Sequence, residues 1–276
     1  MTQPYDYHQA EIIERIQESP DIFTLRMAFS NKNIHQQFSF QPGQFNMLYL
    51  FGVGEIPISI VSDPDHDLFD HTIRAVGRVS NAMSKLTSGD KIGVRGPYGR
   101  GWPIADYTDH NVLLVTGGLG CAPVVSIVHY VLNRRQLYRD LTILQGVKKS
   151  NDLIWRAQYQ QWAELPDTQV LLAADIVNEY WPWDQGPVTR LFEKAHVSAR
   201  NTVAMMCGPE KMMQVSADEL ASRGFPDEHI YLSMERNMQC AIGQCGHCQH
   251  GAHFICKQGP VFPYREIRDS MSIPGY

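Results

Sequence analysis

The chain has 276 residues, 43% hydrophobic and 19% charged, which fits one large or two medium globular domains. Lys and Arg number 24 against 29 Asp and Glu, so the formal net charge is −5 and no nucleic-acid partner is suggested. No apolar run approaches the ~20 residues of a membrane span, and the first residues lack a basic stretch leading into an apolar core. Six cysteines, four of them clustered, fit a reducing compartment better than a disulfide framework, and the expected location is the cytoplasm.

From about residue 8 to 100 the pattern is β-rich. Residues 22–29, 45–51, 58–61 and 72–76 are short apolar or alternating runs punctuated by Gly, Pro, Asn and Asp, the pattern of a barrel or sandwich. A short helix is expected near 80–86, capped by Ser80 or Asn81. The turn-rich stretch from Gly96 to Pro103 precedes a change of pattern. Strands are expected at 111–116, 141–145, 170–174 and 202–207, and helices at 123–132, 152–162, 188–195 and 210–223. Strands alternating with helices predict a doubly wound parallel sheet. The expected fold is therefore a β-barrel or sandwich over 1–104 and an α/β domain over 105–233, closed by a cysteine-rich loop and tail over 234–276.

Four segments carry chemistry in the first two regions. Pro57-Ile58-Ser59-Ile60 and Gly77-Arg78-Val79-Ser80 lie in the β-rich half, and each is a weak signal alone. The second precedes the short helix, so Arg78, Ser80 and nearby amides suit a pyrophosphate. Thr116-Gly117-Gly118-Leu119-Gly120 joins strand to helix. Its glycines let backbone N–H groups approach a diphosphate at a helix N-terminus, and the plain alternative is a tight turn without ligand. Cys207-Gly208-Pro209 ends another strand at the edge where ligands bind in such sheets, a position for a small thiol beside a nicotinamide ring. Asp175 ends the strand 170–174, where an acid binds ribose hydroxyls and disfavours a 2′-phosphate; a helix cap or solvated turn is the alternative. Lys148 and Lys149, after the preceding strand, suit either a phosphate or, more often, a solvated surface.

Near the C-terminus stand Cys240, Cys245, Cys248 and Cys256, spaced C-x4-C-x2-C-x7-C. The first three match a plant-type [2Fe–2S] site, and four thiolates complete two tetrahedral irons. Gly243 and Gly246 allow the tight loop that points amides at cluster sulfurs. Four cysteines also suit structural zinc, but that usually arrives as two C-x2-C knuckles and only one such pair is present. His247 and His250 flank the loop without being needed as ligands.

In order, P-I-S-I, G-x-x-S, G-P-Y-G-x-G, G-G-x-G-x-A-P, C-G-P and the cysteine spacing span most of the chain. This resembles the ferredoxin–NAD(P) reductase superfamily. Within it, the chain is similar to the branch with a C-terminal [2Fe–2S] loop, found in dihydroorotate dehydrogenase electron-transfer subunits, cytoplasmic [NiFe] hydrogenase γ subunits and anaerobic sulfite reductase B subunits. The short last cysteine gap favours the latter two types, and Gly259-Pro260-Val261-Phe262 also resembles this branch. The resemblance implies FAD on the barrel and NAD(P)H on the α/β domain. Ile58 and Ser59 match its flavin-contacting pair, and Gly77 and Ser80 its FAD-diphosphate segment. Gly117, Gly118 and Gly120 match the NAD(P) loop, and Cys207 the nicotinamide-side cysteine. Ile56 stands where the family often has Arg, which leaves more of the phosphate-binding charge to Arg78.

The implied function is electron transfer between NAD(P)H, FAD and a [2Fe–2S] cluster, to or from a partner. The expected partners are hydrogenase large and small subunits with a further iron–sulfur subunit, and Asp175 favours NADH. Sulfite reductase, dihydroorotate dehydrogenase and a non-catalytic redox-sensing role are the alternatives. Cys245→Ser is expected to abolish the cluster, and Gln36→Ala to change little. Unchanged iron content in the first variant would overturn the ligand assignment.

Overall fold

The computed structural model describes residues 5–271 and 273. Residues 1–4 of the expected 1–104 region, and 272 and 274–276 of the expected 234–276 region, lie outside the described residues. The chain divides into two compact units. The first holds the residues up to Gly101 with Val125–Tyr130 and Glu235–Pro260; the second holds Trp102–Val124, Val131–Met234 and the residues from Val261 onward.

In the first unit, β1 (His8–Gln17), β2 (Ile22–Phe29), α1 (Lys32–Gln37), β3 (Phe45–Leu50), β4 (Gly54–Ser59), β5 (Phe69–Arg74), α2 (Arg78–Met83) and β6 (Lys91–Tyr98) follow in order. The six strands pair antiparallel as β4-β3-β6-β1-β2-β5. Along β1, Ala10 and Ile12 are buried while Gln9 and Ile13 are exposed, the two-residue period of a strand with one face on a core. That core gathers Phe23, Leu25, Met27, Leu48, Phe69 and Val94. Asn31 caps α1 by accepting from the Asn33 and Ile34 amides.

The second unit is built from β7 (Asn111–Gly117), α3 (Cys121–Asn133, apart from its Val125–Tyr130 stretch), β8 (Leu141–Lys149), α4 (Arg156–Ala163), β9 (Thr168–Ile176), β10 (Asp184–Gln185), β11 (Thr202–Cys207), α5 (Glu210–Ser222) and β12 (Ile230–Ser233), with strands alternating with helices except around β10. The cysteine segment carries a small hairpin, β13 (Gln249–His250) and β14 (His253–Phe254), and one helical turn, α6 (Ile255–Gln258). The tail adds β15 (Val261–Pro263) and α7 (Tyr264–Met271). The seven-stranded sheet runs β10-β9-β8-β7-β11-β12-β15, parallel except for β15 at the edge. From β7 the order proceeds one way to β8 and β9, and the other way to β11 and β12. Such a reversal opens a crevice at the carboxyl ends of the strands. Among the described residues no helix is long and apolar enough to cross a membrane.

Two elements depart from expectation. The short helix expected near 80–86 under a Ser80 or Asn81 cap is α2, Arg78–Met83, with Gly77 at its N-cap; Ser80 lies inside the first turn, where its hydroxyl accepts from the Gly77 amide. The segment expected as a helix over 188–195 is a 3₁₀ stretch, Val188–Glu193. β-Branched Val188 and Thr189 follow Gly186-Pro187, and Val188 lies so close to Gly146 that a Cβ there would fall 2.8 Å from its own Cβ. Packing against β8 fixes this turn where helix propensity is weak.

Gly120 is required by close approach. A Cβ on it would lie 2.3 Å from the carbonyl oxygen of Cys207. Gly120→Ala is expected to destabilise the second unit by about 1–3 kcal/mol through backbone displacement, read as a lower urea midpoint together with weaker NAD(P)H binding.

Candidate functional site

The β7–α3 turn sits at the switch point. Gly118 takes a left-handed φ of +56°, which glycine adopts without penalty. Gly117 has no room for a side chain, since a Cβ would lie 2.5 Å from the Met212 sulfur. A cleft of about 260 Å³ opens here, lined on one side by Gly117, Gly118, Pro209 and Met212 and on the other by Lys148, Asp175 and the Gly186–Val188 turn. Asp175 and Lys148 form an exposed ion pair at 3.3 Å, so Lys148 is partnered rather than merely solvated. Thr116 is buried and donates to the carbonyl of Leu144 and to the Gln145 side chain. Gln145 in turn donates from Nε2 to the Gly118 carbonyl at 3.1 Å. Gln145 was not singled out from sequence; its only signal is a lone amide at the end of an apolar strand. Cys207 is fully buried, with Gly208 and Pro209 turning the chain beside Gly117. A glycine-lined cleft with an acid at one end suits a dinucleotide.

In the first unit, β4 is an edge strand, half-buried along its length through Pro57, Ile58 and Ser59. Ile60 is buried in the barrel core, and Val79 packs against that core. The Ser80 hydroxyl oxygen accepts from the amides of Val76 at 3.1 Å and Gly77 at 2.9 Å, shaping the turn before α2. Arg78 donates to the Val53 carbonyl, which places its charge over the β3–β4 hairpin.

Ser59 has a partner that the sequence did not reveal. His71 on β5 is fully buried; its Nδ1–H donates to the Ser59 carbonyl at 2.9 Å, and its Nε2 accepts from the Asn46 amide at 3.1 Å. The sheet's edge strands are β4 and β5, and this bond joins them, together with the Val61 amide donating to the Asp70 carbonyl at 2.9 Å. Burial holds the His71 imidazole neutral, with its pKa down to about 4 against the hydrogen bond it donates to Ser59. Asn46 Oδ1 is buried without a hydrogen-bond partner, and Gly96, at φ +139°, leaves it space that a Cβ would fill at 2.3 Å.

The cysteine segment belongs to the same unit as the barrel. Amides point at its sulfurs: Gly243 to Cys256 at 3.2 Å, Gln244 to Cys240 at 3.3 Å, and the Cys256 amide to Cys248 at 3.4 Å. Ala241, Gly243 and Gly246 take left-handed φ between +64° and +74° to wind the loop. Burial raises the pKa of Cys240, but amides of Cys245, Ile242 and Gln244 outweigh it and bring the thiol down to about 6. Cys256 is pushed up to about 12, chiefly by burial and then by its bond with Cys248. The Cys245 amide also donates to the Cys240 sulfur, at 3.5 Å. Among the described residues no three His, Cys, Asp or Glu side chains converge on one ion position. Four cysteines in one loop, three of them with amides aimed at their sulfurs, fit an iron–sulfur cluster, whose sulfur-borne charge such amides would stabilise. Cys245 is exposed, whereas the other three cysteines are buried. His247 is exposed, and His250 is buried with its Nδ1 against Arg236 at 2.9 Å. Arg95, which the sequence reading passed over, reaches the backbone of this loop from β6.

Two family models match the chain. One describes an oxidoreductase NAD-binding domain, over residues 114–218. The other describes the iron–sulfur cluster binding domain of dihydroorotate dehydrogenase B, over residues 235–268. The chain is 33% identical to sulfhydrogenase 1 subunit gamma of Pyrococcus furiosus, across 99% of this chain and 94% of that protein. It is 31% identical to a probable dihydroorotate dehydrogenase B electron transfer subunit of Methanocella arvoryzae, across 92% and 89%. Its fold is similar to a solved NADH-dependent reduced ferredoxin–NADP oxidoreductase, with TM-score 0.72, 24% identity, and coverage of 95% and 92%.

His71 sets a pH dependence for the barrel. Its folded pKa of about 4 lies below the ordinary 6.5, so the unfolded chain binds the proton first as pH falls. The contribution of a neutral His71 is therefore complete above pH 6.5 and lost as pH falls towards 4. The parent should lose up to about 3 kcal/mol more than His71→Gln across that window, measured by urea unfolding at several pH values. Parallel pH curves for the two proteins would refute it.

Proposed function

The chain belongs to the ferredoxin–NAD(P) reductase superfamily, in the branch that includes sulfhydrogenase γ subunits, and from that premise we propose a diaphorase role beside a hydrogenase. It is an NAD(P)H-dependent oxidoreductase subunit of the kind that carries a flavin and an iron–sulfur cluster. The finer reading is that electrons pass between NAD(H) and a partner, with a cytoplasmic [NiFe] hydrogenase as that partner. The observation that carries it is one chain holding both a glycine-lined nucleotide cleft and four clustered thiols, three of them with amides aimed at the sulfur.

When bound, FAD accepts hydride and a [2Fe–2S] cluster carries single electrons. The protein's own residues bind and position. Gly117, Gly118 and Gly120 admit the dinucleotide diphosphate, Asp175 accepts from ribose hydroxyls, and Cys207 with Gly208 and Pro209 stands on the nicotinamide side. Pro57 to Ile60 and Gly77 to Ser80 hold FAD, and Cys240, Cys245, Cys248 and Cys256 hold the cluster. In this reading residues 1–104, 105–233 and 234–276 are the flavin, nicotinamide and cluster regions. No side-chain acid or base is needed for hydride exchange with a flavin. Six cysteines without a disulfide framework support a cytoplasmic site of action.

Service to a dihydroorotate dehydrogenase is the second reading, favoured by the family model over residues 235–268. The subunits that copurify with the chain distinguish the two.

An anaerobic titration of the purified chain with NADH, then NADPH, followed by visible absorption and EPR, tests the relay. Flavin bleaching and a reduced-cluster signal are expected, with NADH the more effective. Asp175→Ser should shift preference toward NADPH by roughly tenfold in kcat/KM, since it removes a carboxylate that repels a 2′-phosphate. An intact flavin and cluster that neither nucleotide reduces would sink the relay for the isolated chain and favour a sensing role.

A further inference from the structure

Arg95 is among the largest fully buried side chains, with 2% of its surface exposed. Every donor of its guanidinium has an acceptor. Nε donates to the Tyr7 hydroxyl and the Glu55 carboxylate, each at 3.1 Å. Nη1 donates to the Tyr98 hydroxyl at 3.2 Å and the Cys240 carbonyl at 2.9 Å. Nη2 donates to Glu55 at 2.9 Å and the Gln239 carbonyl at 2.8 Å. The rings of Tyr7 and Tyr98 lie 5.5 Å and 5.4 Å from the guanidinium carbon.

Two consecutive carbonyls, ending at the first cysteine of the loop, are thus held from the barrel by one planar cation. A second contact seats the other end of the segment, where the Arg100 amide donates to the Gly259 carbonyl at 2.5 Å. Gly99 passes so near that a Cβ would meet the Pro260 ring at 2.6 Å. Only the first contact brings a charge. One-electron reduction of a cluster adds a negative charge, which a fixed cation nearby stabilises and a carboxylate opposes.

We propose that Arg95 is a positioning residue for electron transfer: it locks the Gln239–Cys240 backbone to the barrel, and its charge, partly offset by Glu55, raises the reduction potential of the cluster held by Cys240. Glu55 and Arg95 then act in opposite senses on that potential, although both belong to the same ion pair. A purely structural role would not produce opposite signs. This inference rests on the cluster assignment above, and a parent chain that carries no cluster would defeat that assignment before the variants are compared.

The experiment uses the full chain loaded with flavin and cluster, and compares the parent with Arg95→Gln, Arg95→Lys and Glu55→Gln. Iron and flavin contents are checked first. The readouts are EPR-monitored redox titration and amide hydrogen exchange over residues 239–245. Arg95→Gln should lower the cluster potential by roughly the equivalent of a tenfold change in the reduction equilibrium, about 59 mV for one electron. Glu55→Gln should raise it. Arg95→Lys keeps the charge and loses the planar fork, so it should hold the potential near the parent while exchange at 239–245 quickens at least tenfold. If Arg95→Gln fails to fold, the other two variants decide: an upward shift in Glu55→Gln with faster exchange in Arg95→Lys supports the proposal. A Glu55→Gln potential that stays put or falls, or unaltered exchange in Arg95→Lys, overturns it.

Discussion

A buried guanidinium must have its donors met, and much of the first unit is arranged to meet those of Arg95. Burying a charge costs several kcal/mol unless a counter-ion and hydrogen bonds replace the lost water. Here the replacements come from β4, from the residue before β1, from the end of β6 and from the cysteine loop, segments separated by up to 145 residues. None of them alone supplies enough acceptors. Glu55 provides the opposite charge, and planar geometry lets the same group reach two adjacent carbonyls that a lysine could not bridge. The barrel and the cysteine segment therefore form one compact unit although more than a hundred residues separate them in sequence.

A second buried polar group works at the barrel's closure. The ladder ends at β4 and β5, so their facing groups need partners from elsewhere. His71 provides one as a neutral imidazole that donates on one side and accepts on the other. Asn46 completes the line from β3, leaving its own oxygen unpaired against Gly96. Ser59, matched to the flavin-contacting pair, is thereby fixed through its carbonyl. Its hydroxyl takes no part in that bond.

The second unit relies on close backbone approach. At the switch point of the sheet, Gly120 lies against the Cys207 carbonyl and Gly117 against Met212, so neither position has space for a side chain. Gln145 holds the Gly118 carbonyl from the neighbouring strand. The turn is thus shaped before any ligand arrives, and the cleft beside it is bounded by the Asp175–Lys148 pair and the Val188 turn.

The sequence by itself determined the two classes of architecture, because alternating runs broken by Gly and Pro specify an all-β barrel or sandwich, and buried strands alternating with helices specify a parallel sheet. It also determined the glycine turn and the four thiols, whose chemistry lies in local spacing. The 3₁₀ turn at Val188–Glu193 escaped it, since a helical pattern there yields to packing on Gly146. His71, Gln145 and Arg95 escaped it as well. A histidine, a glutamine or an arginine in a strand is indistinguishable in sequence from a solvated one, and each has a deciding partner far along the chain: Ser59 for His71, Gly118 for Gln145 and Cys240 for Arg95. Only the tertiary structure decided which polar side chains were buried, because burial depends on which distant segments arrive, and a desolvated charge or imidazole is stable only where those segments bring its hydrogen-bond partners.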